Sequence, residues 1–151
     1  MSIGTICKRG VVTVRPFDDL TKAAALMRRE HIGYLVVVEP DVLQGGVRPV
    51  GVLTDRDIVI AVVAGGADPK ALRVGDVMTE SPVIVKESST VAAALQAMRH
   101  IGVRRVPVVD AFGRLEGILA LDDIIETLAS ELGDVAGSIH NERRMESALR
   151  G

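Results

Sequence analysis

Aromatic residues are nearly absent from this chain. Phe17, Tyr34 and Phe112 are all it has in 151 residues, and there is no tryptophan. Hydrophobic residues still make up 48%. The core must therefore be built of Val, Ile, Leu, Ala and Met, and few rings remain on which the bases of a single-stranded nucleic acid would stack. A charge excess of one sign is also lacking, since 18 Lys and Arg face 20 Asp and Glu, for a net charge of −2. Non-specific binding to DNA needs a basic bias that is missing here. Cysteine is reduced to Cys7, which excludes an internal disulfide and a cysteine metal cluster. Lys8 and Arg9 beside it would lower a thiol pKa, but a buried or idle thiol is expected. No window approaches the ~18 consecutive apolar residues of a membrane span, and the start, Met-Ser-Ile-Gly, has no signal-peptide layout. A soluble, cytoplasmic protein without a membrane partner is expected.

Catalytic signatures are missing as well. His31, His100 and His140 form no ligand constellation, and the first two stand at helix ends, where a cation is welcome. No Ser or Cys has a recognisable base partner, and neither a P-loop nor Gly-x-Gly-x-x-Gly occurs. Asp122 and Asp123 are neighbours at a helix start and do not face one another as a dyad. No enzyme and no metal site is expected.

What the chain does contain is one design written twice. Gly51-Val-Leu-Thr54-Asp-Arg-Asp57 and Gly117-Ile-Leu-Ala120-Leu-Asp-Asp123 are each an apolar strand running into a helix start, with an acid six positions after the glycine. At an offset of 71, Gly4 maps on Gly75, Val12 on Val83, Ala23 on Ala94, Met27 on Met98 and Val37-Val38 on Val108-Val109. The glycine-to-acid segments are offset by 66, so the first copy carries five extra residues within Glu39–Val50. A duplicated unit implies a pseudo-twofold axis, with ligand sites between the halves.

Each copy reads strand, helix, strand, strand, helix. Val11–Val14 is a short β-rich run. Leu20, Ala23, Ala24 and Met27 recur with the period of one helix face, as do Val91, Ala94, Leu95 and Met98. Asp18 or Asp19 is expected to cap the first of these helices, and Ser88 to Thr90 the second. Leu35–Val38 and Val106–Val109 are uninterrupted apolar runs, the mark of strands buried on both faces. Asp110–Gly113 reads as a tight turn, and Pro40–Pro49 as a longer loop with Gly45-Gly46. Strands Pro49–Leu53 and Leu115–Leu119 lead to helices starting near Asp55 and Leu121. Residues 65–73 read as a linker between unit 3–64 and unit 74–132. Residues 133–151 form a tail, with Val135, Ile139, Met145 and Leu149 among charges. It is either a frayed terminus or a helix that packs on the module or on a second subunit.

Val77-Met78, the run from Met98 to Val106-Pro107-Val108-Val109-Asp110, and the two glycine-to-acid segments together resemble a tandem pair of cystathionine-β-synthase (CBS) domains. The chain is similar to a stand-alone Bateman module over about residues 3 to 132. The resemblance implies an α/β fold of two pseudo-symmetric β-α-β-β-α units packed through their sheets, here with a C-terminal helical tail. It implies two clefts that often take adenosine nucleotides, further association into a flat dimer, and a catalytic domain, where there is one, elsewhere.

The motif Gly-x-x-Thr/Ser-x-x-Asp has a physical reading. The strand-to-helix turn aims backbone N–H groups at a cleft, a hydroxyl adds a donor, and the acid accepts from a ribose cis-diol. Thr54-x-x-Asp57 is equally a capping box that needs no ligand. In copy two Ala120 replaces the hydroxyl, which leaves Asp123 less reason to serve as a cap. Carried over by position, cleft one would use Asp123 and Ala120, with Thr5 and Ile32-Gly33-Tyr34 holding the adenine and Arg105 reaching the phosphates. Cleft two would use Thr54 and Asp57 with Asp76 and Val103-Arg104, and lacks a counterpart of Arg105. Arg104 and Arg105 could instead be solvated strand ends, and Tyr34 a ring at the core edge rather than a base platform. As adjacent strand residues the two arginines face opposite ways, so one at most is expected in a given cleft.

The expected function is a regulatory module for AMP, ADP or ATP, and next NAD or S-adenosylmethionine, that signals through shape or association, most simply as a homodimer. The alternative is a ligand-free scaffold with degenerate clefts, acting by oligomerisation or by docking a protein partner. Ala120 and Asp76 favour the scaffold, and Thr54, Asp57 and Asp123 favour binding.

Overall fold

The computed structural model describes residues 1–150. The chain opens with a single turn, α1 (Ile3–Ile6), and enters β1 (Thr13–Val14), α2 (Leu20–Glu30), β2 (Tyr34–Pro40) and β3 (Val47–Thr54). α3 (Asp55–Ile58) continues as a π-helical stretch over Val59–Ala64. Gly65 and Gly66 then break the helix, the latter at φ 69°. A 3-10 turn (Pro69–Ala71), α4 (Val74–Val77) and β4 (Thr79–Glu80) lead to the second copy: β5 (Val85–Lys86), α5 (Val91–Ile101), β6 (Arg105–Val109), β7 (Leu115–Ala120) and α6 (Leu121–Arg150).

The strand order is β1-β2-β3-β4 in one sheet and β5-β6-β7 in the other. Within each copy the first strand is parallel to the second, and the second antiparallel to the third. The mixed α/β fold of two like units is therefore present, and β3 lies against β7. The five extra residues lengthen the β2–β3 hairpin, whose loop is only Asp41–Gly46. Both hairpins end on the same device. Asp41 accepts from Leu43 N, Gln44 N and Arg48 Nε, and Asp110 from Phe112 N, Arg114 N and Arg114 Nε. Arg114 Nη1 also donates to the Gln44 carbonyl at 3.2 Å, tying one hairpin end to the other.

Burial alone would push the carboxyls of Asp41 and Asp110 up, but the backbone and arginine hydrogen bonds outweigh it and hold both below the usual range. A depressed folded-state pKa contributes stability above the ordinary Asp value of about 3.9 and loses it as pH falls through the lower folded value. The urea midpoint should thus drop on acidification from pH 5 to pH 2. Asp110→Asn should flatten that fall, and an unchanged slope in the variant would refute this role.

The two cores consist of aliphatic side chains, methionine and Cys7, but they are not divided at the repeat boundary. Ile3 and Cys7 pack with Val85, Ala94, Met98, Val106, Val108, Leu119 and Ile124 of the second copy. Val74 packs with Val14, Leu20, Ala23, Met27, Leu35, Val37 and Leu53 of the first. The two lead-in segments are exchanged. Lys8 pairs with Ile118 in β7, as Thr79-Glu80 pairs with Val52 and Gly51 in β3. This crossing explains the repeated glycines. A Cβ on Gly117 would lie 2.7 Å from the Lys8 carbonyl and 2.9 Å from Cys7 Sγ, and one on Gly51 2.6 Å from Met78 Sδ. Cys7 is buried, and burial pushes its thiol up despite Arg9.

One local expectation needs correction. Neither Asp18 nor Asp19 caps α2 with its side chain. Asp18 accepts from Arg15 N at 2.8 Å, and Asp19 pairs with Arg73 Nη1 at 2.8 Å. Thr90 does cap α5, accepting from Ala93 N. Residues 133–150 are helical, one of the two readings of the tail, and continue α6 without a break, in a helix of 30 residues of which only Asp123 and Ile124 are buried.

Candidate functional site

A cleft of about 400 Å³ opens between the copies. One wall follows from how α2 ends. His31 adopts the left-handed conformation (φ 55°) and closes the helix onto the Met27 carbonyl, to which Ile32 N also donates at 3.0 Å. This sets Ile32-Gly33-Tyr34 along the cleft. The Gly33 carbonyl accepts from Asp55 N, and a Cβ there would fall 2.5 Å from the exposed Asp55 carboxylate, which would have to move aside. Tyr34 is half-buried. Burial raises its hydroxyl pKa, partly offset by the positive charge of Arg105.

The opposite wall is the β7–α6 junction with Ile118, Ala120, Asp122 and Asp123, and with Arg105 from β6. Asp123 is buried, at 6% exposure. Its Oδ2 accepts from Ala120 N at 3.1 Å, and Oδ1 pairs with Lys8 Nζ at 3.0 Å. The loss of threonine at 120 therefore removed only the hydroxyl half of a cap. Asp123 still caps α6 with its carboxylate alone. The hydrogen bond and charge of Asp123 raise the Lys8 pKa. Cations dominate the rim: Lys8, Arg9 and Arg105 face Asp122 and Asp123. Arg9 is held by Glu116 at 2.9 Å and Glu87 at 3.5 Å. Arg105 makes no ion pair among the described residues, and is the one rim cation free to meet an anion.

Of the residues assigned to cleft one, Ile32, Gly33, Tyr34, Arg105, Ala120 and Asp123 line this cavity. Thr5 does not. It sits in α1 and spends its hydroxyl on the Ser2 carbonyl at 2.7 Å. Sequence reasoning missed the segment Lys8 to Val12, which forms a third wall. The available signal was the basic pair before Gly10, a glycine that takes φ 71°.

The residues assigned to cleft two are engaged locally. Thr54 and Asp57 form a complete capping box, with Asp57 N donating to Thr54 Oγ1 at 3.1 Å and Thr54 N to Asp57 Oδ2 at 2.9 Å. Asp76 accepts from Arg73 N at 2.8 Å. Val103 packs against the second core. Arg104 lies 3.7 Å from Asp122 and lines, with Arg105, a depression of about 290 Å³ that adjoins cleft one. The two arginines thus border the same space, because Arg105 begins β6 while Arg104 is still in the preceding turn. Among the described residues, no three His, Cys, Asp or Glu side chains are grouped so as to hold a metal ion. No helix among the described residues is long and apolar enough to cross a membrane.

Two like α/β units, joined through exchanged lead-ins and holding a polar cleft between them, define a tandem module. The CBS domain model matches residues 3–64 and 74–130, and the chain belongs to this family. It is 35% identical to the uncharacterized protein MK0525 of Methanopyrus kandleri over 83% of this chain, and spans 62% of that protein's length. With Hypoxic response protein 1 of Mycobacterium tuberculosis it shares 37% identity over 82% of each chain. The crystal structure of Hypoxic Response Protein I with two coordinated zinc ions superposes with a TM-score of 0.73, at 35% identity over 84% of this chain and 98% of that one. CBSX2 in complex with AMP gives 0.69, at 26% identity over 85% and 96%.

Proposed function

We propose that this chain is a regulatory module, without catalytic activity, that binds an adenosine nucleotide in the cleft lined by Tyr34, Arg105 and Asp123, and that associates with a second copy of itself. AMP, ADP and ATP are the first candidates, NAD and S-adenosylmethionine the next. The observation that carries this reading is the convergence of residues from both copies on one cleft. Ile32-Gly33-Tyr34 offer backbone and an apolar wall to a base, Asp123 an acceptor to a ribose diol, and Arg105 an unpaired cation to phosphate. The AMP complex of CBSX2, a similar module, supports it. A diol reaching Asp123 would share or compete for the Oδ1 that Lys8 now holds at 3.0 Å. Ligand bridging the halves shifts their arrangement by its differential affinity for the two forms.

Thermal unfolding with each candidate tests this. A ligand at 100 times its Kd adds about 2.7 kcal/mol, or on the order of 5–10 °C for a domain this size. The shift should disappear in Asp123→Asn, which retains the shape of the side chain. Absence of any shift at millimolar ligand would favour the second reading, a scaffold whose clefts are degenerate. One observation points that way: the carboxylates of Asp57, Asp76 and Asp123 all serve helix starts.

A further inference from the structure

The space between the copies does not end at Arg105. The depression of about 290 Å³ beside the cleft shares Arg105, Ala120 and Asp122 with it and adds Arg104 and Leu121. Both arginines are fixed to the β7–α6 junction by their backbone. Arg105 pairs with Ala120 in the strand register, and the Arg104 carbonyl accepts from Leu121 N at 2.9 Å. Ala120 lines both cavities where the first copy has Thr54, so the position they share carries only a methyl group. At the offset of 71 the counterparts of Arg104 and Arg105 are Gly33 and Tyr34, and neither is charged. The doubled cation is therefore peculiar to the second copy.

The charges that line the depression favour an anion. Arg105 makes no ion pair among the described residues. Arg104 has only Asp122, at 3.7 Å, with the two side chains 77% and 66% exposed. An exposed pair at that distance is weak and readily opened. Asp122 is also the one carboxylate that lines the depression among the described residues. Lys8 and Arg9, by contrast, are committed to Asp123, Glu116 and Glu87. The site thus runs from the walls of the cleft, past the shared Arg105, to a second cation with room beside it.

We infer that the depression takes a second phosphoryl group, so that the site prefers a nucleoside di- or triphosphate to a monophosphate, and that Arg104 sets this preference. The inference rests on the reading of the cleft as a nucleotide site and specifies the class of nucleotide.

Titration calorimetry of the full chain with AMP and ADP, without divalent metal, tests it. The wild type should bind ADP tighter than AMP by roughly tenfold or more, the equivalent of one added charge-assisted hydrogen bond. Arg104→Ala should bring the two affinities to within about threefold of each other, as that bond is lost. Asp122→Asn should act in the opposite direction and strengthen ADP binding, because it removes the negative charge beside the second phosphoryl group. Both changes fall on exposed positions, so an unchanged thermal midpoint reports separately that the module is folded. Equal affinity of the wild type for AMP and ADP would overturn the second phosphoryl position and leave the nucleotide reading standing. A preference for ADP that survives Arg104→Ala would overturn the role of Arg104. Weaker ADP binding in Asp122→Asn would make that acid a ligand contact and overturn the charge argument. No binding of either nucleotide to the folded wild type would overturn the nucleotide reading, and this inference with it.

Discussion

Replacing Arg105 with alanine is expected to weaken AMP binding by roughly tenfold to a hundredfold while leaving adenosine nearly untouched. The reason lies in the ion-pair pattern of the rim. Lys8 is held by Asp123, Arg9 by Glu116, and Arg104 leans on Asp122, whereas Arg105 has no carboxylate partner. Its charge is thus available to a phosphate without breaking anything. A hydrogen bond to a charged group contributes about 1.5–3 kcal/mol, and each ~1.4 kcal/mol is a factor of ten in affinity. The variant should keep its thermal midpoint, because the side chain is exposed and supports no other group. Titration calorimetry with AMP and adenosine, on wild type and variant, separates the cases. Equal losses for both ligands would mean that Arg105 shapes the cleft without contacting phosphate. No loss for either would remove it from the site.

The second large effect concerns stability, and follows from the exchanged lead-ins. Ile3→Ala should destabilise the protein by about 2–5 kcal/mol, the usual cost of truncating a fully buried aliphatic side chain. Ile3 is fully buried in spite of its place three residues from the start of the chain. The location of the damage is the sharper test. Amide exchange should accelerate first in β5, β6 and β7, which are remote in sequence, and not in β1 and β2, which are near. Val74→Ala should do the reverse, loosening β1 to β3. If Ile3→Ala loosened its own copy first, the exchange of lead-ins would be wrong.

This exchange also marks where sequence reading stops. Strands β2 and β6 were legible because four consecutive apolar residues admit burial on both faces. Helices α2 and α5 were legible because Leu20, Ala23 and Met27, or Val91, Ala94 and Met98, keep helical period. The Gly51 and Gly117 segments identified the two strand-to-helix junctions and hence one wall of the cleft. Nothing in Ile3-Gly4-Thr5-Ile6, however, says which core receives Ile3, since the two cores have the same composition and similar shape. The wall from Lys8 to Val12 was missed for a related reason: it is irregular backbone without a period, positioned by the Lys8–Ile118 bridge far along the chain. Thr5 was lost with it. Whether residues 133–151 fray or form a helix stayed open, and α6 in fact continues through Gly133 and Gly137. Two glycines cost such a helix only about 1 kcal/mol each. At Asp123 the missing threonine hid a cap that the carboxylate makes alone.

The crossed lead-ins make each copy incomplete without the other. A polypeptide consisting of one copy alone would have a vacant slot where the other's Ile3 or Val74 belongs, together with an unoccupied strand edge. Two such half-length molecules would complete each other only by trading these segments, which is domain swapping. The present chain is thus equivalent to a swapped pair of half-length proteins whose ends have been joined by Gly65 to Arg73. Covalent joining removes the concentration dependence that a separate pair would suffer. It also frees the two clefts to diverge, and Arg105, whose first-copy counterpart is Tyr34, records that divergence.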